Sequence, residues 1–167
     1  MILISEGGIL MEKSSGVSLI RQREIEAEVI APLIRAFAAE IGEERARQIA
    51  GDALKKIAFS QGKAAAAKFG GGLESLKTNC LSAWNKCGEL ELEPVNDSED
   101  EYSFNVRRCE YAELYEKLGC RDLGSVISCS RDFAFIEGFD RDIEFKRTKT
   151  LMDGGDCCDF CYRRKNG

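Results

Sequence analysis

The spacing of apolar residues changes once along this chain, at Gly88, and that change limits the folds open to it. Before Gly88, apolar residues recur every three or four positions, which is typical of amphipathic helices. Residues 89–93 instead alternate between glutamate and leucine, which predicts a strand with one solvent-facing side. A chain of 167 residues can bury one substantial core. We therefore expect one α+β domain, helical first and sheet-forming afterwards.

Three helices are predicted before Gly88. Their bounds are residues 18–41, 43–69 and 73–87. Gly42 and the glycines at 70–72 separate them, because glycine readily ends a helix. The apolar stripes expected to face the core are Val29, Ile30, Leu33, Ile34, Phe37 and Ile41 on the first helix, and Ile49, Ala50, Ala53, Leu54, Ile57 and Ala58 on the second.

Two hairpins and two short helices are predicted after Gly88. The first hairpin has strands 89–93 and 101–107 and a loop with Pro94 and 96–100; the helices are 110–118 and 122–136, which end at Gly119 and Gly138; the second hairpin has strands 142–150 and 157–163 and a turn at 151–156. The fold is thus α+β, with N-terminal helices and an antiparallel sheet of about four strands with two intervening helices. We expect a flexible tail at 1–17 and one domain at 18–164, helical over 18–88 and sheet-and-helix over 89–164.

Composition excludes several classes of function. A formal charge of −5 gives no reason to expect nucleic acid as a partner. The apolar runs are too short to cross a bilayer, and no signal peptide is recognisable, so we expect a cytoplasmic protein without a membrane partner. The absence of histidine from the sequence excludes Cys–His dyads and Ser–His–Asp triads. The eight cysteines are expected to be free thiols, with no metal and no cofactor. The composition leaves open whether the protein forms a homo-oligomer.

Cys109 occupies the predicted junction between a strand and a helix. Unpaired N–H groups at a helix N-terminus stabilise a thiolate, and Arg107 and Arg108 add positive charge. Cys109 is therefore a candidate nucleophile with a low pKa. The alternative is a small buried residue that fills the junction, since most free cysteines are simply buried.

Two further cysteines have neighbours that suggest chemistry. Cys129 and Asp132 are three positions apart on a predicted helix and so share a face, as a nucleophile and a base would. In the last strand, Cys158 faces the core with Phe160, whereas Cys161 faces the opposite side, which argues against a shared zinc ion. For the Cys129–Asp132 pair, the alternative to a catalytic role is that Cys129 is simply buried and Asp132 simply exposed.

Several motifs in this half of the chain together resemble one family. They are 105–113 (Asn-Val-Arg-Arg-Cys-Glu-Tyr-Ala-Glu), Leu118-Gly119, Leu123-Gly124, 129–132 (Cys-Ser-Arg-Asp), Gly138, Thr148, Thr150 and 155–160 (Gly-Asp-Cys-Cys-Asp-Phe). In this order and spacing they resemble the L-2-amino-thiazoline-4-carboxylic acid hydrolase family. The resemblance covers residues 18–164, and 102–163 carries its specific part.

The resemblance implies that water opens a small cyclic substrate, 2-amino-thiazoline-4-carboxylate, to a carbamoyl-cysteine. The cysteine motifs of the family then correspond to Cys109, Cys129 and Cys158, and Asp132 to the acid that follows the second cysteine. Cys109 is expected as thiolate or water-orienting group, and Asp132 as general acid or base. The substrate-binding candidates are Asn105, Arg107, Arg108 and Tyr111, with one arginine holding the substrate carboxylate.

Two other functions stay open. The C-terminal plan is also similar, more loosely, to 4-vinyl reductase-type domains, which implies a module that binds or senses a tetrapyrrole, lipid or metal. A structural protein whose cysteines only fill the core is the third interpretation. Whether Cys109, Cys129 and Cys158 converge around one cavity distinguishes the first two functions from the third.

Overall fold

The computed structural model describes residues 17–165. The tail predicted for 1–17 lies outside the described residues except at Val17. The helices are α1 (Leu19–Ile41), α2 (Glu43–Phe69), α3 (Leu73–Ser75), α4 (Ser82–Trp84), α5 (Glu110–Lys117), α6 (Arg121–Gly124) and α7 (Arg131–Phe139), with π-helical turns at Leu76–Leu81 and Ser125–Cys129. The strands are β1 (Leu90–Asp97), β2 (Glu101–Cys109), β3 (Ile143–Lys146) and β4 (Cys158–Arg164). The predicted α+β architecture is confirmed.

The four strands form one antiparallel sheet in the order β1-β2-β4-β3. The central pair places Val106 opposite Cys158 and Asn105 opposite Asp159. The prediction that Pro94 begins a loop is wrong, because β1 continues to Asp97. Proline is tolerated there because β1 is an edge strand and has no neighbouring strand on its outer side that would need the missing N–H.

Two glycines let α2 and α7 cross in backbone contact. A Cβ atom on Gly62 would lie 2.1 Å from the carbonyl oxygen of Phe135, and one on Gly138 would lie 2.1 Å from that of Phe59. Gly138 therefore does not end its helix as predicted; it lies inside α7, which continues to Phe139. The crossing holds α7, and with it the residues at its N-terminus, against the long helix.

The apolar stripe predicted for the core side of α1 is largely wrong. The buried residues of α1 are Ala27, Ala31 and Ile34, because a row of small side chains lets the helix lie close to its neighbours. The large apolar residues Val29 (56% exposed), Leu33 (50%) and Phe37 (57%) face outward. Among residues 17–165, no helix combines the length and apolar character needed to cross a bilayer.

Buried side chains form two hydrophobic clusters. The first lies against the sheet, where Phe104 stacks on Phe160 at 5.1 Å between ring centroids. The second lies among α1, α2, α5 and α6 and contains Tyr115 and Ile127. Cys109 packs against both clusters. The strand-to-helix junction at Cys109 is thus where the two cores meet.

Candidate functional site

The three cysteines singled out by the sequence lie around this junction. Cys158 belongs to the sheet-side cluster, Cys129 packs against the helical cluster, and Cys109 packs against both. Burial raises the pKa of the Cys129 thiol, and the charges of Asp132, Cys109 and Cys158 act on it in the same direction. Cys109 thus lies at the contact between the cluster that contains Cys158 and the cluster against which Cys129 packs. None of the three cysteines lines either of the open depressions beside Phe133, so their convergence around one cavity stays a prediction.

An ion pair between Asp132 and Arg147 lies at the centre of this region. An Nη1–H of Arg147 donates to Asp132 Oδ2 at 2.5 Å, and an Nη2–H donates to the Cys129 carbonyl at 2.9 Å. The Arg147 side chain is only 5% exposed, and that of Asp132 is 23% exposed. The guanidinium also lies 5.0 Å from the centre of the Phe160 ring. Arg147 therefore fixes Asp132 and the backbone of Cys129 in one arrangement.

Burial raises the pKa of the Asp132 carboxyl above 3.8, and the Arg147 guanidinium opposes this shift without cancelling it. A carboxyl with a raised pKa exchanges a proton closer to neutral pH than an exposed aspartate does. The Tyr162 ring stacks on Phe145, which the Arg147 guanidinium also contacts, and burial raises the pKa of the Tyr162 hydroxyl. The arrangement can accept and return a proton in a largely dry environment.

The thiols are protonated at neutral pH rather than activated. Burial raises the pKa of Cys109, although the backbone N–H groups of Ala112 and Tyr111 oppose the shift. The low pKa predicted for Cys109 is therefore wrong, because desolvation outweighs the helix terminus. Burial also raises the pKa of Cys158 to about 11, even though the Leu151 N–H donates to its sulfur at 3.1 Å.

Arg107 and Arg108 are not brought into this region. Both are exposed: Arg107 donates to Glu93 at 2.6 Å, and Arg108 donates to Glu113 at 2.7 Å. Each guanidinium is thus paired with a surface carboxylate and not with the Cys109 thiol. Surface ion pairs of this kind contribute little to stability and leave the guanidinium groups facing water.

Asn105 on β2 and Tyr111 on α5 lie on either side of Cys109 in the sequence. Asn105 accepts from the Cys157 thiol at 3.7 Å, just before the first residue of β4. The Tyr111 hydroxyl donates to the Trp84 carbonyl at 3.1 Å, so α5 is tied to the end of α4. In this structure Tyr111 therefore has a hydrogen-bond partner within the protein.

An open depression of about 490 Å³ lies next to Arg147, between Phe133 and the Gly154-Gly155 turn. Asp159 shapes its wall, because one carboxylate oxygen accepts the backbone N–H groups of Thr148 and Lys149, each at 2.9 Å.

Sequence reasoning missed Arg147, since nothing in the local pattern distinguishes it from the neighbouring surface lysines. Within residues 17–165, no three or more Cys, Asp or Glu side chains are grouped to hold a metal ion.

Comparison with known proteins gives one extensive match. The family model described as L-2-amino-thiazoline-4-carboxylic acid hydrolase matches residues 22–162. No curated protein matches the chain. Several solved structures are similar at a distance, two of which follow. One is a trafficking protein particle complex subunit 3 from Naegleria fowleri covalently bound to palmitic acid (15% identity, 86% of this chain, 95% of that chain, TM-score 0.47). The other is the phenol-responsive sensory domain of the transcription activator PoxR with phenol (11% identity, 87% and 72% of the two chains, TM-score 0.41). Both TM-scores are below 0.5, so neither structure indicates the function of this chain.

Proposed function

Because the chain belongs to the L-2-amino-thiazoline-4-carboxylic acid hydrolase family, we propose that it opens the ring of 2-amino-thiazoline-4-carboxylate with water to give a carbamoyl-cysteine. The observation that carries this proposal is the Asp132–Arg147 ion pair among the thiols of Cys109, Cys129 and Cys158. In this arrangement Asp132 is a proton acceptor, Arg147 is a fixed cation, and the thiols are protonated.

The proposed reaction is a hydrolysis and needs no oxidant or reductant. Water attacks the ring carbon that carries the amino group, so a C–O bond forms and the water loses a proton. The ring bond from that carbon to sulfur or to nitrogen then breaks, and the leaving atom takes a proton. Cleavage to sulfur releases a free thiol, whereas cleavage to nitrogen releases an amine, so the product identifies the bond.

Asp132 is the proposed general base for the attacking water. Arg147 favours the ionised carboxylate at 2.5 Å, and burial keeps the pKa of Asp132 above that of an exposed aspartate, which makes it a stronger base. The protonated thiols of Cys109 and Cys129 are the proposed donors to the leaving atom, since burial raises the pKa of both. Cys109 then acts as an acid or orients the water, rather than as a resting thiolate.

Purified protein incubated with 2-amino-thiazoline-4-carboxylate tests the proposal. Mass spectrometry would detect carbamoyl-cysteine, and a thiol reagent would distinguish the two modes of cleavage. Asp132→Asn is expected to lower kcat by about 10²–10⁴-fold, which is the usual contribution of a general acid or base. Asp52→Asn, at an exposed position on α2, is the matched control. Cys109→Ala should also lower kcat, whereas Cys87→Ala, which removes an exposed thiol, should not.

Failure of the wild-type protein to open the ring under any condition would overturn the proposal. A visible absorption band in purified protein that opens no thiazoline would instead favour the ligand-binding function predicted from the looser resemblance. Equal turnover by Cys109→Ala and the wild type would remove Cys109 from the reaction and leave Asp132 as the residue to test.

A further inference from the structure

The outer side of α1 carries a row of large apolar side chains. Each is four positions from the next and between 45% and 57% exposed; the members are Ile25, Val29, Leu33, Phe37 and Ile41. Residues four apart are neighbours on a helix surface, so the five form one ridge about 24 Å long. The helix packs on the core through its other side, where Ala27, Ala31 and Ile34 are buried. The fold of one chain thus leaves the ridge about half exposed.

The neighbouring helix α2 adds two residues of the same kind. α1 and α2 are joined by the single residue Gly42 and pack against each other, so they run in opposite directions. On α2, Ile49 (47% exposed) and Ile57 (50% exposed) lie about two turns apart, with the exposed Ala53 between them. The buried side of α2 instead holds mostly small residues and Leu54. Both helices therefore expose large apolar side chains and bury small ones.

The apolar area on these two helices is larger than a monomer normally leaves exposed. A large apolar side chain has about 200 Å² of accessible surface, so seven that are half exposed present about 700 Å². The largest apolar patch on a monomer is usually about 300–600 Å², whereas each partner in a stable complex buries about 800 Å². The area therefore fits a partner of the size of a second protein.

The charges that flank these apolar residues differ in sign between the two helices. Glu28 and Glu40 flank the ridge on α1, whereas Arg45 and Lys56, together with Asp52, flank the apolar residues of α2. All five are exposed, and within residues 17–165 none of them forms an ion pair. The arginines of α1 already pair with carboxylates of the same chain. The α1 side of the face is thus negative and the α2 side positive.

The flanking charges also lie at matching heights along the two helices. Glu40 and Arg45 lie two and three positions from Gly42, and Glu28 and Lys56 both lie fourteen positions from it. Since the two helices run in opposite directions from Gly42, each pair is level along the helix axes. A twofold axis along the helices that brings α1 of one molecule onto α2 of another therefore places each carboxylate opposite a cation.

We propose that this surface, which we call the α1–α2 face, binds the same surface of a second copy of the chain. The α1–α2 face consists of Ile25, Val29, Leu33, Phe37, Ile41, Ile49 and Ile57. A pair related by a twofold axis repeats every contact, so the charges above are matched twice. A ridge of residues four apart also fits between the side chains of a facing helix, as in the commonest class of helix packing. The inference is independent of the proposed hydrolase function, since the face contains no residue of the site around Asp132.

Sedimentation equilibrium of the purified full-length protein measures the association. The wild type is expected to reach twice the mass of one chain, and its urea midpoint should rise with protein concentration because only folded chains associate. Leu33→Asp places a charge at the centre of the ridge. It should raise the dissociation constant at least about 100-fold, since each dimer contains the substitution twice. Val95→Asp, at a residue of β1 that is 62% exposed, is the matched control and should leave the dimer intact.

Two further readouts separate dissociation from unfolding and test the pairing of helices. Leu33→Asp should unfold at the urea midpoint of the dilute wild type, at every protein concentration, because Leu33 faces solvent in a single chain. Glu28→Lys should weaken the dimer about 10-fold, since a lysine then faces Lys56 of the second copy. Addition of Lys56→Glu to that variant exchanges the two charges and should restore most of the affinity.

A wild type that is monomeric at every concentration would overturn the proposal and give the face another occupant. If Leu33→Asp then lowers the urea midpoint, the occupant is the sequence before Val17, which contains Ile2-Leu3-Ile4 and Ile9-Leu10-Met11. If the wild type instead sediments with phosphatidylcholine vesicles and Leu33→Asp does not, the occupant is a lipid surface. A dimer that Leu33→Asp leaves intact would also overturn the proposal, and failure of Lys56→Glu to restore the Glu28→Lys dimer would overturn the packing of α1 on α2.

Discussion

Removal of the Arg147 charge should expose how strongly the ion pair at the centre of the site is coupled. Arg147→Met keeps most of the side-chain stem but leaves the Asp132 carboxylate, which is only 23% exposed, without its cation. Breaking a buried pair costs about 3–5 kcal/mol. Since Asp132 retains some contact with solvent, we expect a loss near the lower end, about 3 kcal/mol at pH 7.

The double variant with Asp132→Asn isolates the pair. In Asp132→Asn there is no carboxylate that loss of Arg147 could leave unpaired. Arg147→Met should therefore cost much less in that background, because it removes only the hydrogen bond to the Cys129 carbonyl and the contact with Phe160. We expect a coupling energy of about 2 kcal/mol between the two positions. Urea unfolding of the wild type, both single variants and the double variant measures it. Arg141→Met, at an exposed arginine, is the control and should lie within about 0.5 kcal/mol of the wild type.

The stability defect of Arg147→Met should also depend on pH. Burial already raises the pKa of Asp132, and without Arg147 nothing nearby of comparable strength opposes it, so the pKa should rise further. A carboxyl with a raised folded-state pKa contributes most to stability when it is protonated, and that contribution is lost as the pH rises through the folded-state pKa. The defect of Arg147→Met should therefore shrink between pH 7 and pH 4.5. Additive effects within about 0.5 kcal/mol, or an equal defect at both pH values, would refute this reasoning.

Three further outcomes follow from buried thiols and the helix crossing. Burial raises the pKa of Cys80 from 9.0 to about 11, so Cys80 should contribute about 2–3 kcal/mol to the fall in the free energy of unfolding as the pH rises through this range, and the fall measured by urea titration should be smaller by that amount in Cys80→Ala. Gly138→Ala should cost more than about 2 kcal/mol in urea unfolding because its Cβ would meet the Phe59 carbonyl at 2.1 Å, whereas Gly51→Ala, with 3.6 Å of space, should be neutral or stabilising by about 1 kcal/mol. Under native alkylation, the exposed Cys87 should react before the buried Cys80, Cys120, Cys157 and Cys158; the reverse order would contradict their burial.

The long helices and the last strand could be predicted because their signals are local. Gly42 ends α1 with a φ of 86°, as a glycine with helical neighbours is expected to do, and α2 covers the predicted residues 43–69. Alternation in β4 correctly placed Cys158, Phe160 and Tyr162 on the buried face. Each of these features depends on residues within a few positions of one another.

The side of α1 that faces the core could not be predicted from hydrophobicity alone. Large residues such as Leu33 and Phe37 gave the stronger signal, yet the helix packs through Ala27 and Ala31. Close approach of helices favours small side chains, and small side chains contribute little to the hydrophobic periodicity of a sequence. The same limitation hid Gly138, which permits a helix crossing although its residue type suggested a helix end.

The sequence drew attention to Cys109, Cys129, Cys158 and Asp132 as site residues, and their joint role in one site stays a prediction. It gave no sign of Arg147, because the pairing of that residue with Asp132 depends on how β3 lies against α7. Nor did it indicate the π-helical turn Ser125–Cys129, which sets the direction of Cys129, since such turns have no sequence signature of their own.

The pH dependence of kcat/KM for ring opening tests the role of Asp132 most directly. As the general base, Asp132 must be ionised, so the rate should rise with pH through its pKa, at a midpoint above the ordinary value of 3.8 because burial raises that pKa. Asp132→Asn should abolish this rise along with most of the activity. Absence of ring opening at every pH, or an acid limb that persists unchanged in Asp132→Asn, would contradict the account.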